Sequence, residues 1–179
     1  EFLSFTSTLG FELEPEEAAG LGLGAAVGNA PASLLELTRA FSVFPRGGTL
    51  PELRLARELE LASGRRIPVQ AGSARRVLSA ESAWLVRAVL SDPSARVTGF
   101  GTRSRLNTAF PAMFKSGTAA GYHSLWCLGA TSEYTVGVWA GNLDRRAAFG
   151  ATGSSLPAAA VTATLARLRR KAEGAGEGP

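Results

Sequence analysis

Three short segments constrain the fold more than anything else in this chain. Phe110 to Thr118, Tyr122 to Ala130 and Tyr134 to Leu143 are each rich in aromatic and β-branched residues, and only Ala119-Ala120-Gly121 and Thr131-Ser132-Glu133 separate them. Connectors of three residues cannot hold a crossover, so the strands must follow one another antiparallel, as a meander. The remaining apolar residues recur at helical spacing, which makes the class α+β. Phe2, Leu3, Phe5 and Leu9 fit a short helix closed by Gly10. Ala32 to Phe44 carries Leu34, Leu35, Leu37, Ala40, Phe41 and Phe44 on one stripe, with Ser33 or Asn29 available as cap and Pro45-Arg46-Gly47-Gly48 as terminator. Ser79 caps a further helix whose Ala83, Trp84, Val86 and Leu90 are expected to face the core, with Glu81 in its first turn and Asp92-Pro93 at its end. A last helix from about Pro157 to Lys171 places Val161, Leu165 and Leu168 on one face. Thr49 to Val77 reads as a variable excursion with a hairpin around Gly64, and Phe100 to Thr108 as a polar loop. The expected organisation is one domain over residues 1–172, mainly helical in 1–109 and carrying the hairpins and C-terminal helix in 110–172, with a frayed tail at 173–179.

Composition excludes several classes. With 45% hydrophobic residues among 179, the chain can build one substantial core. The net charge of +4 is spread over isolated pairs such as Arg65-Arg66, Arg75-Arg76 and Arg145-Arg146, not gathered with aromatics on one surface, so no nucleic-acid partner is expected. Cys127 is the single cysteine and stands in an apolar run, which excludes an intramolecular disulfide and points to a small buried hydrophobe. Gly20-Leu21-Gly22-Leu23-Gly24-Ala25-Ala26-Val27-Gly28-Asn29 lacks the lysine of a phosphate-binding loop and the preceding strand of a dinucleotide fold; it reads as a tight loop with close backbone packing. No apolar stretch approaches the roughly 20 residues of a membrane-spanning helix, and no signal-peptide pattern opens the chain. A start at Glu1 reads as a piece of a longer protein, so any membrane anchor is expected on an N-terminal part outside these residues.

The chemistry-bearing motif lies in the first of the three strands: Phe114-Lys115-Ser116-Gly117-Thr118, followed by Leu125-Trp126 and by Tyr134-Thr135-Val136-Gly137-Val138-Trp139-Ala140-Gly141-Asn142. It resembles the Lys-Thr/Ser-Gly motif of penicillin-binding proteins and serine β-lactamases. Gly20 to Gly48, with Ser33-Leu34-Leu35-Glu36-Leu37, then Ser79 to Ala95 with Phe100-Gly101, and the Gly-x-Thr-Gly turn at Gly150 to Gly153, extend the resemblance over most of the chain. Its pattern is that of the C-terminal part of a class A, 1C-type, penicillin-binding protein transpeptidase domain. The implied fold is the penicillin-binding/β-lactamase-like one, an antiparallel sheet flanked by helices, of which this chain holds the last three strands.

The resemblance also implies roles. Lys115 offers positive charge to a substrate's terminal carboxylate, Ser116 hydrogen-bonds it, Gly117 leaves room for the stem peptide, and the Thr118 backbone amide supplies half of an oxyanion hole while its side chain lines the site. Implied ligands are peptidoglycan stem peptides and β-lactams, without a cofactor or metal, at the periplasmic or extracytoplasmic face of the bacterial inner membrane. The family's other two motifs are missing: no Ser is followed three residues on by Lys, and no Ser-x-Asn occurs. The nucleophilic serine is therefore expected upstream, and the chain alone is expected to be inactive. A carboxypeptidase or β-lactamase relative, and a catalytically silent scaffold, are the alternatives. By themselves a mid-strand lysine is an ordinary solvated residue, Trp126 and Trp139 read as core, and His123 reads as exposed and not catalytic.

Overall fold

The computed structural model describes residues 1–175. Helix α1 (Phe2–Thr8) is followed by α2 (Pro15–Leu21), a two-turn helix that sequence reading did not anticipate. Its N-terminus is closed by a reciprocal box in which the Glu17 carboxylate accepts from the Glu14 N–H. The glycine-rich run forms a 3-10 turn over Gly22–Val27 and corrects the expectation of close packing. Leu23 and Val27 are 94% and 84% exposed, and a Cβ added at Gly20, Gly22 or Gly28 would meet nothing within 4 Å.

Helix α3 (Leu34–Phe41) starts where Ser33 Oγ accepts from the Glu36 N–H at 3.2 Å and Glu36 returns a bond to the Ser33 N–H at 2.7 Å. It is shorter than the apolar stripe, because residues 42–48 leave the helix in a series of turns. Strand β1 (Thr49–Leu50) then leads into a hairpin of β2 (Glu58–Glu60) and β3 (Arg66–Pro68), reversed at Gly64 with φ +78°, and β4 (Arg75–Arg76) returns to pair antiparallel with β1.

Ser79 caps α4 (Ala80–Ser91) by accepting from the Ser82 N–H at 3.1 Å. Ala83 is fully buried, and Val86 and Leu90 are partly so, but Trp84 is 64% exposed. The expectation for Trp84 fails for a geometric reason: the buried stripe runs 83, 86, 90, and the next residue sits about 100° further round the helix. Asp92 ends α4 and also begins α5 (Pro93–Phe100), its carboxylate accepting from the Ser94 N–H at 2.8 Å.

Strands β5 (Met113–Thr118), β6 (Ser124–Ala130) and β7 (Thr135–Gly141) form the antiparallel meander, in the order β5-β6-β7 with Lys115 opposite Leu128 and Gly117 opposite Trp126. Each is trimmed relative to its apolar segment; residues 120–122 make a 3-10 turn instead of opening the second strand. Helix α6 (Leu156–Ala175) closes the fold and takes in Glu173 to Ala175 of the expected tail, Arg169 pairing with Glu173 at 2.9 Å; the rest of that tail lies outside the described residues.

Side-chain alternation places Phe114, Ser116 and Thr118 on one face of β5 and Met113, Lys115 and Gly117 on the other. Phe114 and Cys127 pack with Ala158, Val161 and Leu165 of α6, while Met113, Leu128 and Ala130 pack with Phe41 of α3. The sheet is thus held between α6 and α3, α4 packs against β5 with Leu90 beside the Met113 cluster, and among the described residues no further strand pairs with the outer side of β5.

Candidate active site

The Ala119 N–H donates to the Ser124 carbonyl at 2.9 Å, which fixes the phase of the β5–β6 ladder. In an antiparallel pair alternate residues exchange bonds with the partner. Counting back from Ala119 in steps of two, Gly117 and Lys115 bond to β6, and the N–H and C=O groups of Ser116 and Thr118 point away from it. β5 therefore presents an open edge of unpaired main-chain groups over the residues singled out in the sequence.

Lys115 is exposed on the α3 side of the strand, and its Nζ donates to the Ser116 carbonyl at 2.7 Å, so the ammonium folds back onto that edge. Among the described residues it has no salt-bridge partner. Ser116 is half-buried. At Gly117 an added Cβ would touch only Trp126 Cβ, at 3.6 Å, so the strand face there is open. Thr118 directs its hydroxyl to the α6 side, where it accepts from the Gly153 N–H at 3.1 Å, while its own amide stays on the edge.

Gly153 is a site element to which sequence reading gave no role. Its Cα lies so near the sheet that an added Cβ would come within 3.0 Å of Gly117 O, Gly117 N and Trp126 O. The Gly150–Gly153 turn thus braces Gly117 and Thr118 from behind, and the only sequence signal for it was the glycine-rich turn itself. The tryptophans are half-buried, not core. They meet edge to face at 6.4 Å on the Lys115 side, and the Ser124 hydroxyl accepts from both indoles, at 2.8 and 2.7 Å. His123 is half-buried where exposure was expected, and its main-chain oxygen lies against Gly141 at the end of β7. Behind Ser116, the buried Cys127 thiol is pushed up to about 12 by loss of water, against a smaller opposing pull from the Lys115 charge.

The arrangement can hold an extended anionic peptide, with an edge to pair, an ammonium, a hydroxyl and an unpaired amide in one row. It brings Lys115, Ser116 and Thr118 together and supplies no activated nucleophile. Among the described residues no cluster of three or more His, Cys, Asp or Glu suits a metal, and no helix is long and apolar enough to cross a membrane. A cavity of about 430 Å³ opens at the opposite end of β5, against Met113, Thr131, Arg87 and Arg169, away from this row.

No family model matches the chain. It is 27% identical over 143 residues to penicillin-binding protein 1C of Escherichia coli, covering 80% of this chain and 17% of the relative. To penicillin-binding protein 1A of Clostridium acetobutylicum it is 32% identical over 124 residues, 69% of this chain and 15% of the relative. The chain thus spans about one sixth of the length of these curated relatives. Among solved structures, penicillin-binding protein A of Mycobacterium tuberculosis as an imipenem acyl-enzyme complex superposes with a TM-score of 0.69 at 17% identity, over 91% of this chain and 41% of that one. Penicillin-binding protein 1A of Haemophilus influenzae gives 0.63 at 22% identity, over 80% and 27%.

Proposed function

Taking as premise a chain that belongs with the penicillin-binding proteins and has the fold of their transpeptidase domain, we propose that the outer edge of β5 is one wall of an acyl-transfer cleft for peptidoglycan stem peptides. The observation that carries this reading is the row of Lys115 ammonium, Ser116 hydroxyl and Thr118 amide along an unpaired strand edge.

The substrate peptide lies beside β5 as an added strand, with its terminal carboxylate against Lys115 and Ser116. A serine hydroxyl from an upstream segment attacks the carbonyl of the penultimate D-alanine. As the new C–O bond forms, negative charge grows on the carbonyl oxygen, and the Thr118 N–H donates to it. The C–N bond to the terminal D-alanine breaks, and the leaving amine takes a proton. An amine of a neighbouring stem peptide then attacks the serine ester, forming the cross-link amide and freeing the serine. A β-lactam enters the same sequence when its ring amide acylates that serine. This chain's share is binding, orientation and charge stabilisation at the cell envelope; the covalent carrier belongs to the upstream part.

The test is Lys115→Ala in the intact protein. Removing one preorganised electrostatic contact costs about 10²-fold to 10³-fold in rate, whereas truncating an exposed strand lysine changes stability by about half a kcal/mol or less. Acylation by a fluorescent penicillin should slow by at least about a hundredfold with the melting temperature nearly unchanged. Acylation at the parent's rate would remove this edge from the active site and favour a silent scaffold.

A further inference from the structure

Arg96 sits in α5, outside the motif, and spends its whole guanidinium on main-chain oxygens. Nη2 donates to the Ser91 carbonyl at 2.8 Å and to the Ala112 carbonyl at 3.4 Å, Nε to the Asp92 carbonyl at 3.3 Å, and Nη1 to the Leu106 carbonyl. Three segments therefore meet on one planar fork: the α4–α5 junction, the loop that follows α5, and the residue immediately before β5. The same guanidinium lies 5.3 Å from the centre of the Phe114 ring, next in sequence to Lys115. Among the described residues it has no salt-bridge partner, although it is half-buried. Desolvation lowers its pKa from the ordinary arginine value, with the Asp92 charge opposing.

This placement matters because β5 is bonded along one side only. The geometry of its open edge is set by β6 and by whatever fixes the strand's beginning, and Arg96 holds both the peptide before Met113 and the ring before Lys115. We infer that Arg96 is a positioning residue that fixes the Lys115–Thr118 edge for acyl transfer, an inference that rests on the reading of that edge given above. Reacting groups displaced by about 1 Å lose on the order of 10²-fold in rate, so an anchor of this kind acts on rate and not only on stability. Lysine cannot replace it: a single ammonium has no planar fork with which to reach carbonyls of three segments.

The experiment compares Arg96→Ala, Arg96→Lys, Lys115→Ala and the Arg96→Ala/Lys115→Ala double variant of the intact protein. It reads penicillin acylation rates well below every melting temperature, together with amide hydrogen exchange across β5. Leu50→Ala serves as a control, since Leu50 is 1% exposed in β1 and distant in the chain from β5. Expected are a slowing of at least about tenfold for Arg96→Ala, only partial recovery in Arg96→Lys, a rate within about twofold of the parent for Leu50→Ala, and little further loss when Arg96→Ala is added to Lys115→Ala. Amide exchange at Lys115 and Gly117, whose N–H groups bond to β6, should quicken. Parental acylation in Arg96→Ala, equal slowing in Leu50→Ala at equal loss of stability, or additive effects in the double variant would overturn the inference. If Lys115→Ala is itself without effect, the acyl-transfer reading falls, and unchanged exchange at Lys115 and Gly117 in Arg96→Ala then overturns the anchoring role separately. Should Arg96→Ala fail to fold, Arg96→Gln, which keeps part of the stem and a donor amide, carries the same comparison.

Discussion

Gly153→Ala is a one-methyl probe of how the site is built. Three main-chain atoms, Gly117 O, Gly117 N and Trp126 O, lie within 3.0 Å of where the new Cβ would be. A flexible side chain could swing aside; these atoms belong to paired strands and can move only with the sheet. Gly153 is not among the positive-φ glycines, so alanine is conformationally permitted and the effect is steric alone. Overpacking typically costs 1–3 kcal/mol, and a clash with backbone belongs at the upper end, about 3 kcal/mol. Gly150 supplies the contrast, having φ +80° with nothing within 4 Å of an added Cβ. Alanine there meets only left-handed strain, about 1–2 kcal/mol. Urea unfolding of the intact domain should rank Gly153→Ala as the more damaging, through its midpoint. Because the methyl pushes on the Gly117 peptide, the Thr118 amide should shift with it, and penicillin acylation should slow in whatever fraction stays folded. A Gly153→Ala protein within about 0.5 kcal/mol of the parent and acylated normally would refute the account of that turn as a brace.

Further outcomes can be checked directly. Cys127, with its thiol raised by burial to about 12, should resist thiol reagents at pH 8 until the protein unfolds; since the unfolded thiol ionises from about 9, stability should decline as pH rises from there towards 12. Ser33→Ala should cost about 1 kcal/mol in denaturant unfolding through loss of the α3 cap. Glu36 in that cap has its pKa lowered first by the Ser33 hydroxyl and then by the Ser33 N–H, so its contribution should be present above the ordinary carboxylate range and fade as pH falls through the lowered value. Ser116→Thr should retain penicillin acylation, because both residues offer one hydroxyl at the same strand position, whereas Ser116→Ala should lose less than Lys115→Ala.

The meander was legible because β-branched and aromatic residues stand in three blocks with connectors too short for anything but reversal. Ser79 was legible as a cap because it precedes an apolar helical stripe, and Ser33 was one of two candidates, with Asn29, between which the structure decides. Helices α2 and α5 were not, since both are short and none of their described side chains is buried, which leaves no apolar period to read. Asp92-Pro93 was read as a stop, and the same chemistry also starts a helix. Trp84 shows a different limit: a large apolar side chain one position off a buried stripe looks like part of it until the helix is set in its surroundings. At the site, the residue types were legible and their support was not. That the Thr118 hydroxyl engages Gly153, and that Arg96 gathers four carbonyls from three segments, are facts of tertiary approach with no local pattern in sequence.

An unpaired strand edge suited to a peptide is equally suited to another copy of itself, and such edges are where sheet proteins stick together. The edge of β5 is short, six residues, and of its two exposed residues, Lys115 and Thr118, one is a cation. Two β5 edges brought together antiparallel would set two Lys115 ammonium groups close to one another across the new ladder, a like-charge arrangement that opposes pairing. A substrate carrying a carboxylate cancels the same charge. Lys115 thus doubles as a gatekeeper against fibril-type association, and its neutralisation should make the protein more prone to aggregate even in the folded state.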